Sequence, residues 1–354
     1  MPAFSVGQES VILSPVAMPA GGLLRAVLCC CVLSACGGTF ETDSTVEPTP
    51  TEPGLESTSA SIGPVIAPPG GEDTWCIHRR LDNATAGYVR NIRGKLTEGS
   101  HHMIVYVSEQ TEEQLDPVPC NGFDGILVVE DGIPGLDSKN IPVFIAQQPY
   151  VELALPEEDG VPVGFRVEAQ QMLRIEMHWY NTTQKTLDVV GTVDFDVLPE
   201  GHEEVIESSF AFWGTGIIDI PPNSEAQTEM LFQRALTDTK AFAVTTHQHQ
   251  RGTKMQVFSA RSATDYDNPP LTTGTDWAEP PLQVLDPVLP FSTGDGLAYR
   301  CEWSNPTNKY VGFGEGVDDE MCFLWLYYFP SRGFDICVHF SEGASSGVCN
   351  HLVR

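Results

Sequence analysis

The residues of this chain best suited to chemistry are histidines, and their spacing is uneven. Nine occur: His78, His101, His102, His178, His202, His247, His249, His339 and His351. A lone histidine is usually a surface residue or a satisfied polar one. Five of the nine, however, fall in three strand-like stretches, EGSHHMIVYV (98–107), RIEMHWYN (174–181) and TTHQHQRG (245–252). In a strand AFAVTTHQHQ, Thr245, His247 and His249 share one face while Phe242, Val244, Thr246 and Gln248 take the other. Such an H-x-H pair sets two imidazoles side by side, close enough to chelate one metal.

The remaining stretches carry weaker signals. In RIEMHWYN the apolar face is Leu173, Ile175, Met177 and Trp179, and Arg174, Glu176, His178 and Tyr180 take the other. On this strand alone His178 therefore reads as solvent-facing. His101 and His102 are neighbours, and neighbours on a regular strand diverge. Each imidazole has two ligating nitrogens, and the inner one, Nδ1, brings a metal close to the backbone. At a strand start loosened by Gly99 and Ser100, both could reach one metal through Nδ1. The H-x-H pair should instead use its outer nitrogens. A further stretch, DEMCFLWLYYF (319–329), aligns Met321, Phe323, Trp325 and Tyr327 on one face. A methionine among aromatics is ordinarily core filler. Beside His247 and His249 it would complete a set suited to copper, because a thioether favours Cu(I) and imidazole accepts either oxidation state.

The elements that must position these residues are strands. From Asp73 onward, short runs rich in Val, Ile, Phe, Tyr and Thr alternate with Pro, Gly, Asn and Asp clusters, and long helical periodicity is missing. The pattern predicts an all-β protein of sandwich or barrel type. A boundary falls at LPEGHEEVIES (198–208), giving domains over 70–200 and 201–354. Residues 37–69 are rich in Thr, Ser, Glu, Pro and Gly and read as a disordered tether. Before it, LLRAVLCCCVLSACGG looks like a bacterial lipoprotein signal, residues 1–35, with cleavage before a lipidated Cys36; Met18 would give a signal of ordinary length. That implies the cell envelope, on the periplasmic face of the outer membrane or the cell surface, with lipid on Cys36 as the membrane attachment.

Charge excludes one class of partner, and cysteine usage agrees with export. Lys+Arg 19 against Asp+Glu 48 gives −29, a sign that argues against nucleic acid. Beyond Cys29, Cys30, Cys31 and Cys36 there remain Cys76, Cys120, Cys301, Cys322, Cys337 and Cys349, an even number for which disulfides are the default outside the cytoplasm. With no CxxC a thiolate zinc site is not expected, and with no Ser-His-Asp or Cys-His arrangement standing out neither is a hydrolase.

Taken in order, HHM (101–103), PVGFRV (162–167), MHWYN (177–181), IPPNS (220–224), HQHQRGTK (247–254) and DEMC (319–322) closely resemble the copper type II, ascorbate-dependent monooxygenases. The resemblance implies two tandem jelly-roll domains facing each other across a solvent-filled cleft, each with one copper, the two uncoupled. His101, His102 and His178 would hold an electron-transfer copper. His247, His249 and Met321 would hold the copper that binds O2, with ascorbate as reductant and a small molecule as substrate. Family bridges correspond to Cys76–Cys120 and Cys301–Cys322. The usual partner of Cys337 has no counterpart in SEAQTEMLFQ, so Cys337–Cys349 is expected.

Departures bear on the substrate. Thr245 stands where peptidylglycine enzymes carry a carboxylate-binding arginine, and Phe323 and Trp325 replace an asparagine and a tyrosine that position the peptide. The substrate side is therefore expected to suit an apolar or aromatic molecule. The alternative reading is a copper-buffering lipoprotein that keeps the ligands without the chemistry.

Overall fold

The computed structural model describes residues 54–352 except 123–126, 131–132, 137–138, 202–203, 236 and 342–345. The signal, Met18, Cys36 and His202 lie outside the described residues. Strands dominate. In the first half they are β1 (Glu56–Ala67), β2 (Glu72–Arg80), β3 (Gly87–Leu96), β4 (Ser100–Ser108), β5 (Asn140–Ala146), β6 (Val161–Val167), β7 (Met172–Tyr180) and β8 (Leu187–Pro199). In the second half they are β9 (Ser209–Thr215), β10 (Thr239–His247), β11 (Gly252–Ser262), β12 (Leu282–Phe291), β13 (Gly296–Asn305), β14 (Phe323–Phe329), β15 (Phe334–His339) and β16 (Val348–Leu352).

These strands form two pairs of sheets, called here the first and second lobes. In the first lobe β1-β8-β3-β6 makes an outer sheet and β2-β7-β4-β5 an inner one. In the second, β12-β10-β14-β9-β15-β16 is the inner sheet, and the outer one is built around β11 and β13. Residues from Pro50 onward form one compact unit.

The inner sheets face each other, and side-chain alternation shows why. Along β9 and β14, Phe210, Phe212, Phe323, Trp325, Tyr327 and Phe329 join one apolar core with Ile104, Ile145 and Phe165 of the first lobe. Their neighbours Ala211, Trp213, Leu324, Leu326 and Tyr328 join a second core inside the second lobe. All seven residues of β14 are buried, as expected of a continuous apolar run covered on both faces. Across the lobe boundary, the Ile145 N–H donates to the Tyr327 hydroxyl at 3.3 Å.

One expectation needs correction here. The tether expected to run to residue 69 ends earlier, because β1 pairs antiparallel with β8 from Glu56 to Ala67. Its Ser/Thr-rich composition hides a period of two: Ala60, Ile62, Val65 and Ala67 are buried between polar residues, and a register shift between Ile62 and Val65 accommodates Gly63 and Pro64. The first lobe thus begins near residue 56 rather than 70. All three disulfides are present, Cys76–Cys120, Cys301–Cys322 and Cys337–Cys349.

Candidate metal centre

A register shift resolves the problem of the adjacent histidines. His178 on β7 pairs with His102 on β4, but the next pair is Trp179 with Ser100, so His101 is one residue more than the ladder needs. A β-bulge of this kind re-aims the extra side chain, and Gly99, at φ +91°, supplies the turn before it. Both imidazoles therefore meet His178. Ring centroids lie 5.0 Å apart for His101 and His102, 5.4 Å for His101 and His178, and 5.2 Å for His102 and His178.

His178 does not face solvent. The alternation of β7 is as read, but the face carrying Arg174, Glu176 and His178 turns toward the second lobe and is buried. The charges there are partnered: Arg174 donates to Glu176 at 2.9 Å and the Tyr106 hydroxyl donates to the same carboxylate at 2.8 Å. Burial raises the Glu176 pKa, only partly offset by Arg174.

In the second lobe the ligand candidates sit at strand ends. His247 is the last residue of β10, and His249 follows in the turn, its ring 5.2 Å from that of His247. Met321 precedes β14 and is held from both sides. Cys322 is bridged to Cys301 on β13. On the other side, the buried carboxylate of Glu320 accepts from the His249 N–H at 3.1 Å, the Arg251 N–H at 2.6 Å and the Trp303 indole at 2.9 Å. Glu320 thereby ties the histidine turn to the methionine segment. Burial pushes its pKa up to about 7 despite these bonds.

The two sets meet. His101 lies 5.9 Å from His247 and 6.0 Å from His249, ring to ring, and His102 lies 5.3 Å from His247. Donor atoms of His101, His102 and His178, and equally of His101, His247 and His249, fall within 4.8 Å of one another. His102, His178, His247, His249 and Met321 line one cavity with Ile104, Ile145, Phe212 and Trp325. Its volume of about 20 Å³ accommodates about one water. The expected solvent-filled cleft is therefore not seen among the described residues. The apolar faces of the two inner sheets close over the histidines and exclude it.

Hydrogen bonds select which ring nitrogen is available. The Asp319 carbonyl faces His249 Nδ1 at 3.2 Å, and a carbonyl only accepts, so Nδ1 carries the proton and Nε2 is left. Glu72 likewise accepts a hydrogen bond from His178 Nε2 at 2.9 Å and leaves Nδ1. Gln147 Oε1 lies 2.6 Å from His247 Nδ1, again leaving Nε2. His102 Nδ1 and both nitrogens of His101 are buried without a partner. Desolvation lowers the pKa of His101, His102 and His247 well below the usual histidine value, and that of His249 to about 4, so all four are held neutral, the form that binds metal.

Comparison with known proteins agrees with this chemistry. The family described as copper type II ascorbate-dependent monooxygenase, C-terminal domain, matches residues 215–346. Tyramine beta-hydroxylase of Caenorhabditis briggsae is 25% identical over 215 residues, which is 56% of this chain and 34% of that protein. Dopamine beta-hydroxylase of Bos taurus is 24% identical over 321 residues, 82% of this chain and 49% of that protein. The chain is similar to the copper type II ascorbate-dependent monooxygenases, and the family model matches it over residues 215–346. It spans about half or less of the length of these relatives. Among solved structures, the STIV MCP crystal structure covers 77% of this chain and 95% of that one at 9% identity and a TM-score of 0.30.

Copper fits the residues that this chain presents. Unpartnered, neutral imidazole nitrogens converge with a buried thioether, a donor set suited to both copper oxidation states. Of the substrate-facing candidates, Trp325 lines the cavity, whereas Phe323 is stacked on Phe212 at 4.1 Å and Thr245 is buried with its hydroxyl bonded to Gln147. Sequence reasoning missed Glu72, Gln147 and Glu320. Glu320 adjoins Met321 within the DEMC motif; Glu72 and Gln147 meet their histidines across 106 and 100 residues, and no local pattern marks them.

Proposed function

We propose that this chain is a copper- and ascorbate-dependent monooxygenase that hydroxylates a C–H bond of a small apolar or aromatic molecule with O2. The observation that carries the reading is the convergence of His101, His102, His178, His247, His249 and Met321 on one buried space between the lobes. His101 can serve only one set at a time. Met321 completes the second set, so the assignment is His101, His102 and His178 for one mononuclear copper and His247, His249 and Met321 for the other. Bound copper would supply one-electron redox chemistry and a Lewis-acidic position for O2.

The protein's own residues then bind, orient and exclude water. Ile104, Ile145, Phe212 and Trp325 wall the cavity with hydrocarbon, which suits an aromatic substrate and keeps bulk water out. Thr245 offers no cation for a peptide carboxylate. Because the cavity holds about one water, substrate admission requires the lobes to separate. An exported, lipid-anchored location at Cys36 belongs to the same proposal, and the three disulfides support an oxidising compartment.

The test is ascorbate-dependent O2 uptake by the copper-loaded protein with phenylethylamines, alkylbenzenes and glycine-extended peptides. Uptake stimulated by the aromatic compounds and abolished in Met321→Ala and His178→Ala is expected. Two bound coppers with no substrate-stimulated uptake would point to copper buffering, and a preference for glycine-extended peptides would overturn the substrate class.

A further inference from the structure

Each lobe's candidate ligand set is oriented by a hydrogen bond that involves the opposite lobe. Gln147 follows β5 in the first lobe, yet its amide lies entirely among second-lobe atoms. Its Nε2 donates to the Thr246 carbonyl at 3.0 Å and the Thr245 hydroxyl at 3.1 Å. A carbonyl cannot donate, so the Thr246 bond fixes which end of the amide is nitrogen. Oε1 is then the atom 2.6 Å from His247 Nδ1, and the imidazole must donate to it. Gln147 thereby sets both the tautomer and the ring plane of His247 and leaves Nε2 as the free donor. Glu72 mirrors this arrangement. One oxygen, Oε1, accepts from His178 Nε2 at 2.9 Å and from the Val317 N–H of the second lobe at 2.6 Å. Gln147, Glu72, His178 and His247 are sequentially remote and share no atoms in these bonds, so the two ties can be broken separately.

We infer that Gln147 is a positioning residue for His247, acting from the opposite lobe, and that Glu72 reciprocally couples the orientation of His178 to the second-lobe segment at Val317. Metal-binding geometry at both sets is therefore conditional on lobe closure. When the lobes part, His247 loses the acceptor that holds its Nδ1 proton and becomes free to rotate or change tautomer, while His178 keeps Glu72 but Glu72 loses its anchor. The ligand identities on which this rests are those of the proposed function, but the orienting bonds exist in the metal-free chain.

Two measurements on the full chain test it. In the copper-free protein, 15N NMR of histidine should show His247 as a single Nδ1–H tautomer, turning into a tautomer mixture in Gln147→Ala and returning to Nδ1–H in Gln147→Glu, whose carboxylate still accepts. In copper titrations followed by EPR, Gln147→Ala should weaken one of two sites by about 10–100-fold and Glu72→Ala the other, the scale typical of partners that orient ligating histidines. Gln147→Glu and Glu72→Gln, which retain an acceptor, should restore affinity. Gln147→Leu repeats the comparison if the alanine variant does not fold. An unchanged His247 tautomer in Gln147→Ala, or wild-type affinity at both sites in both alanine variants, overturns the inference. A wild type that binds no copper but shows the tautomer change sinks the proposed function and leaves the positioning role standing.

Discussion

The two histidine sets solve the same problem by opposite means. The first is built into the middle of a sheet: β4 and β7 are hydrogen-bonded along their length, and a single bulge supplies the third imidazole. The second is built at strand ends and depends on staples, namely the Cys301–Cys322 bridge, the Glu320 carboxylate and the reach of Gln147 from the other lobe. A ladder fixes ligands through many weak bonds that fail together. Staples fix them through a few bonds that fail one at a time, so the second set should be the easier one to perturb without unfolding the chain.

The largest effect expected from breaking this contrast lies in the first lobe. Asp196 on β8 accepts from Arg93 on β3 at 2.8 Å and from Ser57 on β1 at 2.6 Å, out of water. Removing it in Asp196→Ala should cost about 3–5 kcal/mol, because Arg93 is left buried and uncompensated. The same pair gives the acid response. Burial alone would raise the Asp196 pKa, but the hydrogen bonds from Arg93, Ser57 and Asn91 and the Arg93 charge together outweigh it and hold the group below 3.8. A depressed carboxylate stabilises the fold above its unfolded pKa and loses that contribution as pH falls below 3.8. Chemical denaturation followed between pH 5 and pH 2 should show this loss in the wild type and not in Asp196→Ala.

A smaller effect is expected in the second lobe. Replacing Cys301 and Cys322 by serine should cost about 2–4 kcal/mol in thermal melts. It should weaken copper at the set containing Met321 while leaving the other EPR signal intact. Equal weakening of both would erase the distinction between ladder and staple. Below that, Glu320→Gln turns an NH2 toward N–H groups that need an acceptor, at a cost of about 1–3 kcal/mol. Faster amide exchange at His249 and Arg251 would register it. The smallest effect on stability belongs to His101→Ala. Both its ring nitrogens are buried without partners, so the metal-free protein should change by less than about 1 kcal/mol while bound copper falls from two equivalents to one.

How much of this was legible in the sequence varied with the range of the interaction. Period-two alternation gave the strands, the shared face of β7 and the burial of Met321 beside aromatics, because these depend on neighbours along one strand. The same alternation misled for His178. It reports which residues share a face and says nothing about what covers that face, and here a second lobe does. β1 was missed because its four buried residues, Ala60, Ile62, Val65 and Ala67, sit in a stretch rich in serine, threonine, proline and glycine, a composition usually left unfolded. The meeting of the two histidine sets, and the roles of Glu72 and Gln147, depend on how two sandwiches pack. No pattern within 100 residues encodes that.

The bulge at His101 has a consequence best put in terms of inheritance. A one-residue change in most strands flips every following side chain to the wrong face and ruins the core. Here the surplus residue is absorbed where it stands: His102 onward keeps its pairing, so Met103, Val105 and Val107 remain on the inner face. The number of imidazoles offered to a metal can thus change by one through a single codon gained or lost, with no other position obliged to respond. The first set is a feature that a lineage could acquire or discard in one step, whereas the second, distributed over a turn, a disulfide and a partner lobe, could not be assembled so quickly.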